Sequence, residues 1–336
     1  MKKNYIYVDY LKLFFCFCVV GIHAEIFFNF DNTFDYLIYH ALFRQAVPFF
    51  FIATGFFLGL KLFKAGDLKE KNLIINKYIK RLLIPYIFWL ILGSFIVFSK
   101  LDGSILIRII KLLRVALLSP WAALWYIWAI IIFLIIYKVL INITKDKLNH
   151  KLLLVISIIL YCFALLCNNY YFLIENTFFQ KIVDLYLNIF VTSRNGVFVS
   201  MFLIMGLLIA KNKDKIKNIN KKYLCIYTFI SLIILLIEVY LIRDKAFMDD
   251  RSLYISFIFY IPLLFLLASS YKSDKDTSVY RNLSAGIYFM HVRTITLLKP
   301  FFVNNYLLYI VTLVVDIIIL LILYKVDNKY INKLIK

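Results

Sequence analysis

The sequence predicts an all-α, polytopic membrane protein with about ten transmembrane helices and both termini in the cytoplasm. Three observations predict this fold class. Hydrophobic residues make up 63% of the 336 residues, and the mean hydropathy is +0.85. The charged residues fall between long apolar runs rather than along soluble amphipathic helices. Apolar runs of about 17 to 25 residues are long enough to cross a bilayer as helices.

Such apolar segments recur along the whole chain, and no soluble domain, linker or short-period repeat interrupts them. We therefore expect a single transmembrane domain over residues 1–336. The predicted spans are about 7–28, 46–61, 82–99, 122–142, 152–168, 196–210, 223–242, 253–270, 283–298 and 306–324.

The basic residues are concentrated in alternate loops. With the N-terminus inside, 26 of the 39 lysines and arginines lie on inner segments. Because membrane insertion keeps basic loops in the cytoplasm, this pattern predicts two cytoplasmic termini and a multi-pass protein of the cell membrane. In the outer segment 100–121, basic residues spaced three apart among Ile and Leu predict an amphipathic helix along the outer surface.

The net charge of +20 at pH 7 is explained by these inner loops. Basic loops suit an anionic inner leaflet, and no nucleic-acid recognition motif accompanies the charge, so we expect the lipid bilayer as partner and no nucleic acid. All five cysteines fall within predicted spans without metal-ligand spacing. The pattern therefore predicts neither a metal site nor a disulfide framework.

The first predicted span carries Lys12, His23 and Glu25. Eleven residues advance a helix by three turns and roughly 20°, so Lys12 and His23 share one face about 16 Å apart. If the helix continued, Glu25 would lie about 200° from His23 and would not face it. Ionisable groups inside a membrane mark a functional site by default, because they are costly there.

Other charged residues fall near or within later spans. Arg293 and Asp316 have matching depths in adjacent helices, and we expect them to form a structural ion pair. Arg44 lies outside, against the positive-inside rule, and precedes a helix whose N-terminal dipole does not favour a cation, which predicts a specific partner. Glu238 lies near the outer end of its span.

Several segments, in this order and spacing, resemble acyltransferase family 3 of integral membrane proteins. The segments are Val8-Asp9-Tyr10-Leu11-Lys12 with His23; Arg44-Gln45-Ala46-Val47-Pro48-Phe49-Phe50-Phe51 with Gly55; Lys80-Arg81 before Pro85-Tyr86; Leu124-Trp125-Tyr126; and Ser284-Ala285-Gly286-Ile287-Tyr288 ending at His291. Two further segments, Arg194-Asn195-Gly196-Val197-Phe198 and Asp250-Arg251-Ser252-Leu253-Tyr254, are similar to the membrane half of vancomycin-resistance serine racemases. We expect no racemase domain, since the sequence stops eleven residues after Lys325.

The resemblance implies transfer of an acyl group, commonly acetyl, from cytoplasmic acyl-CoA to a hydroxyl of a surface glycan or related envelope acceptor. It implies no permanently bound cofactor, with acyl-CoA (acetyl-CoA) as co-substrate. His23 matches the essential histidine of the family, and Lys12 stands where the family usually has Arg, which offers a bidentate fork that lysine lacks. Lys77, Lys80 and Arg81 resemble the basic run of the family and are expected to hold the phosphates of acyl-CoA.

Residue chemistry agrees with acyl transfer to a hydroxyl. An imidazole is the natural base near neutral pH, and His23 either takes the proton of the hydroxyl or carries the acyl group itself. Arg44, Trp125, Tyr126, Glu238 and His291 are the candidate acceptor-binding residues, with sugar stacking expected at Trp125 or Tyr126. A small-molecule transporter, for an amino acid such as serine, is the alternative. A noncatalytic partner in envelope assembly and a homo-oligomer also stay open.

Overall fold

The computed structural model of the chain describes residues 4–27, 32–99, 101–118, 123–190, 196–216 and 218–326. Over those residues the structure is helical, and the strand-like pairing found there is an isolated antiparallel bridge between Asn4 and Ser273. The α-helices are α1 (Ile6–His23), α2 (Thr33–Leu37), α3 (Ala46–Leu62), α4 (Leu68–Ser99), α5 (Ile105–Leu118), α6 (Leu124–Ile143), α7 (His150–Leu166), α8 (Phe178–Phe190), α9 (Ser200–Lys211), α10 (Lys213–Ile216), α11 (Lys221–Leu241), α12 (Phe257–Ser269), α13 (Ser278–Leu298) and α14 (Asn305–Val326).

Six helical stretches in the described part of the chain are long and apolar enough to cross a membrane. They are Ile6–His23, Thr33–Leu62, Leu68–Phe95, Leu124–Ile143, Lys221–Leu241 and Asn305–Val326. Three further apolar helices, α7, α9 and α12, are shorter, at 10–17 residues. Each predicted span overlaps one of the helices, which confirms an all-helical membrane protein. The count of ten and the orientation stay predictions.

The long stretch Thr33–Leu62 is continuous because α2 passes directly into other helical turns. A π-helical turn (Ile38–Leu42) and a 3-10 turn (Phe43–Gln45) join it to α3. Pro48 lies in the first turn of α3, where its missing N–H has no intrahelical partner to lose.

Asparagine side chains cap the N-termini of four of the described helices, α2 (Asn32), α7 (Asn149), α11 (Asn220) and α14 (Asn304). Asn149 accepts hydrogen bonds from the backbone N–H groups of Lys151 and Leu152 at the start of α7. Asn220 accepts one from Lys222 at the start of α11. Each bond satisfies a donor that the first helical turn leaves free, so these residues fix where the helices start.

Helix α3 lies in the core and approaches α9 so closely that a side chain at Gly55 or Gly206 would meet the backbone of the other helix. A Cβ atom on Gly55 would lie 2.0 Å from the carbonyl oxygen of Leu203, and one on Gly206 would lie 2.2 Å from that of Ile52. Close backbone approach through small residues is a common way to pack helices in membranes.

The other side of α3 packs against α1 and α12 through aromatic rings. Phe49 contacts Phe15 of α1, with ring centroids 5.0 Å apart, and Phe265 of α12 at 5.7 Å. The first helix also packs along α13. Helix α1 is thus held between α3, α12 and α13, which fixes the direction in which its polar side chains point.

Helix α5 covers the segment for which the charge pattern predicts an amphipathic helix. Its apolar side chains are open to the surroundings, with Ile105 72% and Leu106 67% exposed. Arg114 donates to the carbonyl oxygen of Asn188 at 2.7 Å, which joins α5 to the C-terminal end of α8. Its position along the outer membrane surface stays a prediction.

Candidate functional site

Helices α1 and α13 run in the same direction and carry polar side chains at both ends of their contact. Asp9, near the start of α1, contacts Arg281, near the start of α13. His23, the last residue of α1, contacts His291, in the second half of α13. The helix pair therefore places one polar cluster at each end of α1.

His23 lies where α1 ends and the chain turns away. The N–H of Ala24 still bonds to the carbonyl of Val20, but Glu25 has a positive φ of 59°, which no α-helix continues. The expected angle between His23 and Glu25 therefore does not apply. Glu25 instead forms an ion pair with Lys299 at 3.0 Å.

The imidazole rings of His23 and His291 contact each other, with centroids 5.1 Å apart and planes tilted by 49°. His23 is half-buried, whereas His291 has no exposed surface. The sequence identified both residues as candidates, and the structure brings them together.

Two tyrosines extend the site from His291 towards α6. Tyr288 lies 6.2 Å from the His291 ring and 5.6 Å from the Tyr126 ring, centroid to centroid. The Tyr126 hydroxyl shares a hydrogen bond of 3.1 Å with Thr54 of α3. Trp125 is half-buried and contacts Phe51 at 6.2 Å. Tyr126 thus lies in the site, and sugar stacking at either residue stays a prediction.

A cluster of charged side chains surrounds Lys12 at the N-terminal end of α1. The ammonium group lies 4.7 Å from the centre of the Phe57 ring, a cation–π contact. The charges of Asp9, Arg281 and Arg81 act on it. Two arginines and one lysine therefore lie around the buried carboxylate of Asp9, and the exposed carboxylate of Asp276 lies 4.0 Å from Arg281.

Asp9 is the carboxylate of this cluster and is 1% exposed. It accepts hydrogen bonds from Arg281, at 2.6 Å, and from the hydroxyl of Thr277. The sequence pattern predicts no role for Asp9, Thr277 or Arg281. The signal that pointed to them was a carboxylate in the first turn of an apolar helix, which has to find a partner.

The predicted phosphate-binding residues lie on one face of α4, and all three are exposed. Arg81 is the one whose charge acts on Lys12. Lys77 lies about one turn earlier and Lys80 directly precedes Arg81, so the three side chains fall within an arc of about 100° by helix geometry. The structure thus links the predicted basic run to α1 through Arg81.

Arg44 has the specific partner that its position predicted. Its guanidinium forms an ion pair with the Asp250 carboxylate at 3.0 Å and donates to the Asp250 carbonyl oxygen at 3.0 Å. The loop that follows is fixed as well, since Asn168 accepts from the N–H groups of Ser252 and Leu253. Acceptor binding by Arg44 stays a prediction. Arg194 and Asn195 of the other motif lie outside the described residues.

The Glu238 carboxylate accepts hydrogen bonds from other residues of the protein. The donors are the N–H groups of Ile255 and Ser256, each at 2.7 Å, and the hydroxyls of Ser256 and Tyr170. These bonds hold the start of α12. An acceptor molecule would have to compete with all four, which is the physical argument against its predicted role in binding.

The predicted ion pair between Arg293 and Asp316 is wrong. Asp316 is fully buried and accepts a hydrogen bond of 2.5 Å from Thr294. Arg293 instead donates to the carbonyl oxygen of Trp89 at 3.4 Å. Neighbouring residues on a helix point about 100° apart, so Thr294 faces α14 where Arg293 does not.

The fold and this site define an integral membrane protein of helices, with a histidine pair at one end of α1 and a cation cluster at the other. The family model described as "Acyltransferase domain" matches residues 5–325. The chain therefore belongs to acyltransferase family 3.

The chain is also similar to two enterococcal proteins. It is 26% identical to an "Amino-acid racemase" of Enterococcus faecalis, over 98% of this chain and 47% of that protein. It is 26% identical to a "Serine/alanine racemase" of Enterococcus gallinarum, over 86% of this chain and 40% of that protein. The chain thus spans about half the length of these relatives or less. No solved structure matches it.

Proposed function

We propose that this protein is a membrane O-acyltransferase. It moves an acyl group, acetyl in the simplest case, from cytoplasmic acyl-CoA to a hydroxyl of a cell-surface polysaccharide or another envelope acceptor. Its place of action is the cell membrane. The observation that carries the proposal is the arrangement of α1, which has cations near one end and an imidazole pair at the other.

This arrangement matches the two ends of acyl-CoA. The donor carries phosphates at one end and its thioester at the other end of a long, flexible pantetheine arm. Lys12 and His23 are about 16 Å apart along α1. When the phosphates bind near Lys12, the pantetheine arm extends along the helix and brings the thioester towards His23.

The cation cluster supports phosphate binding at the predicted cytoplasmic end. Lys12, Arg81 and Arg281 bring three cationic groups near the buried carboxylate of Asp9, and a further carboxylate, that of the exposed Asp276, lies 4.0 Å from Arg281. Arginine offers phosphate a bidentate pair of donors, and lysine a compact point charge. Lys77 and Lys80 add further positive charge on the same face of α4.

His23 serves the reaction in one of two ways. As a base, it takes the proton of the acceptor hydroxyl while the oxygen attacks the thioester carbon. As an acyl carrier, it receives the acyl group from CoA first and passes it to the acceptor in a second step. Both ways require its ring to reach the thioester.

The test of the function is chemical. Mass spectrometry of envelope glycans should find ester-linked acyl groups in cells with the protein and lose them in cells without it. Purified His23→Ala protein should bind acetyl-CoA but transfer no acetyl group. His150→Ala is the control, because His150 lies away from the histidine pair, at the start of α7, where it bonds to Tyr137 of α6. Full activity of His23→Ala would overturn the assignment.

A transporter is the second candidate, because transporters also place polar side chains within the membrane. Serine is the substrate to test, since a relative that is 26% identical over 86% of this chain is named a serine/alanine racemase. Serine uptake by proteoliposomes, together with no acetyl-CoA binding by the intact protein, would support transport over acyl transfer.

A further inference from the structure

The buried ring of His291 presents one nitrogen that has no partner. Its Nδ1 lies 2.9 Å from the carbonyl oxygen of Ile287, one turn earlier on α13. A carbonyl only accepts, so Nδ1 carries the proton and Nε2 keeps a free lone pair. Nε2 is buried and makes no hydrogen bond to any described residue.

A buried acceptor without a partner loses its hydrogen bonds to water and gains none in return. Such atoms need an explanation, and a catalytic role is one of those known. The neighbouring hydroxyls on α13 do not supply the missing donor. The hydroxyl of Tyr288 donates to the carbonyl of Ala123, and that of Thr294 donates to Asp316. The second imidazole at His291 is that of His23, with ring centroids 5.1 Å apart.

We propose that His291 is the base that takes the proton from the acceptor hydroxyl, with His23 as the acyl carrier. This inference rests on the proposed function. It assigns the role of acyl carrier to one imidazole ring and the role of base to the other. An imidazole that holds an acyl group on one nitrogen cannot take a proton at that nitrogen. The His291 ring contacts the His23 ring, and its Nε2 is a hydrogen-bond acceptor because its proton is on Nδ1. His291 therefore takes the proton.

When His23 is loaded, its ring nitrogen bonds to the thioester carbon, the carbon–sulfur bond breaks, and the ring proton of His23 passes to the CoA thiolate. The second step then balances without any further reactant. The acceptor oxygen forms a bond to the acyl carbon on His23 while its proton passes to Nε2 of His291. The bond between the acyl carbon and the His23 nitrogen then breaks. The proton moves from Nε2 to the released His23 nitrogen, so both rings return to their neutral state.

Hydroxylamine separates this role from a structural one. It is a neutral nucleophile that attacks an acyl group without prior loss of a proton, so it does not need the base. Purified protein in nanodiscs would receive acetyl-CoA with either hydroxylamine or an envelope glycan fraction from cells lacking the protein. Acetohydroxamate formed without enzyme would be subtracted.

For His291→Gln, we expect acetohydroxamate formation within about threefold of wild type. Transfer to glycan should fall by about 10² to 10⁴, the usual contribution of general base catalysis. His150→Gln, the control, should leave both rates unchanged. An equal fall with both nucleophiles, or no fall with glycan, would overturn the role of His291. No transfer to either by the wild-type protein would overturn the proposed function itself.

A second variant covers the case in which His291→Gln does not fold. His291→Ala leaves space for a small ring, and imidazole added to it should restore transfer to glycan. Pyrrole, which has a ring N–H but no basic nitrogen, should not. Restoration by both rings would show that His291 only fills space, and restoration by neither would also contradict its role as a base.

Discussion

The Arg44 guanidinium binds the side-chain carboxylate and the backbone carbonyl oxygen of Asp250, although 206 residues separate the two in the chain. Both side chains are largely shielded, at 12% and 25% exposed. The pair ties the helical turns before α3 to the segment that leads into α12. It therefore holds together two of the helices that enclose α1.

We expect Asp250→Asn to destabilise the protein by about 1.5–3 kcal/mol, the range for a hydrogen bond to a charged group. The measurement is unfolding in detergent, followed by helical circular dichroism. Asp244→Asn is the matched control, because Asp244 is 95% exposed and lies 4.0 Å from Arg243. Equal effects of the two substitutions would contradict a structural role for the Arg44 pair.

The close contact between α3 and α9 gives a second prediction. Gly55→Ala would place a Cβ atom 2.0 Å from a backbone oxygen, so the helices would have to separate. We expect loss of folded protein or several kcal/mol of destabilisation, since a packed core accepts extra atoms poorly. Gly66→Ala is the control, because the nearest atom to its Cβ would be 3.9 Å away, on a flexible Glu70 side chain. Normal stability of Gly55→Ala would show that the helices are further apart than the structure has them.

Much of the fold could be predicted from the sequence, because helix periodicity and apolar length are local properties. The shared face of Lys12 and His23 follows from 3.6 residues per turn and needs no tertiary information. Depth in the membrane can also be predicted, which is why Arg293 and Asp316 seemed matched. The sequence does not predict how α13 is rotated about its own axis. This rotation places Thr294, rather than Arg293, next to Asp316.

The site shows the same division between local and tertiary information. The first apolar segment indicates His23 and the family-like stretch that starts at Ser284 indicates His291, but their contact depends on α1 and α13 being parallel neighbours. The partner of Arg44 likewise lies in a distant loop. Asp9 was missed because its partner, Arg281, counted only as one charge of a basic inner segment.

Asp9→Asn should have opposite effects on stability and on donor binding. The protein should lose about 1–3 kcal/mol, because a buried charge-assisted hydrogen bond to Arg281 is weakened. The folded protein should bind CoA more tightly, because Lys12 and Arg281 lose their shared negative charge. Calorimetry with CoA and thermal unfolding would measure the two effects on one sample. Weaker CoA binding by the folded variant would contradict a phosphate site at this cluster.

The basic run on α4 should contribute unequally to donor binding. We expect Arg81→Gln to weaken acetyl-CoA binding by about tenfold at low salt, equal to about 1.4 kcal/mol. The combined Lys77→Gln and Lys80→Gln variant should have a smaller effect, because Arg81 is the member coupled to Lys12. The loss should shrink as salt rises, since screening weakens the wild-type contact too.

Calorimetry at low and moderate salt would test this order. Lys213→Gln with Lys215→Gln on α10 is the control, since it removes two positive charges from another predicted inner segment. If that variant weakened acetyl-CoA binding as much as Arg81→Gln does, the donor would respond to overall charge rather than to a site on α4.

The bond between Thr294 and Asp316 should be measurable as a coupling energy. A double-mutant cycle with Thr294→Val and Asp316→Leu should give about 0.6 kcal/mol, the average for such bonds within membranes. A second cycle, with Arg293→Met and Asp316→Leu, should give a coupling near zero, because Arg293 donates to Trp89 instead. Both cycles share the cost of removing the buried carboxylate, so that cost cancels. Unfolding in mixed detergent micelles would provide the free energies, and a larger coupling for Arg293 than for Thr294 would restore the ion pair that the sequence predicted.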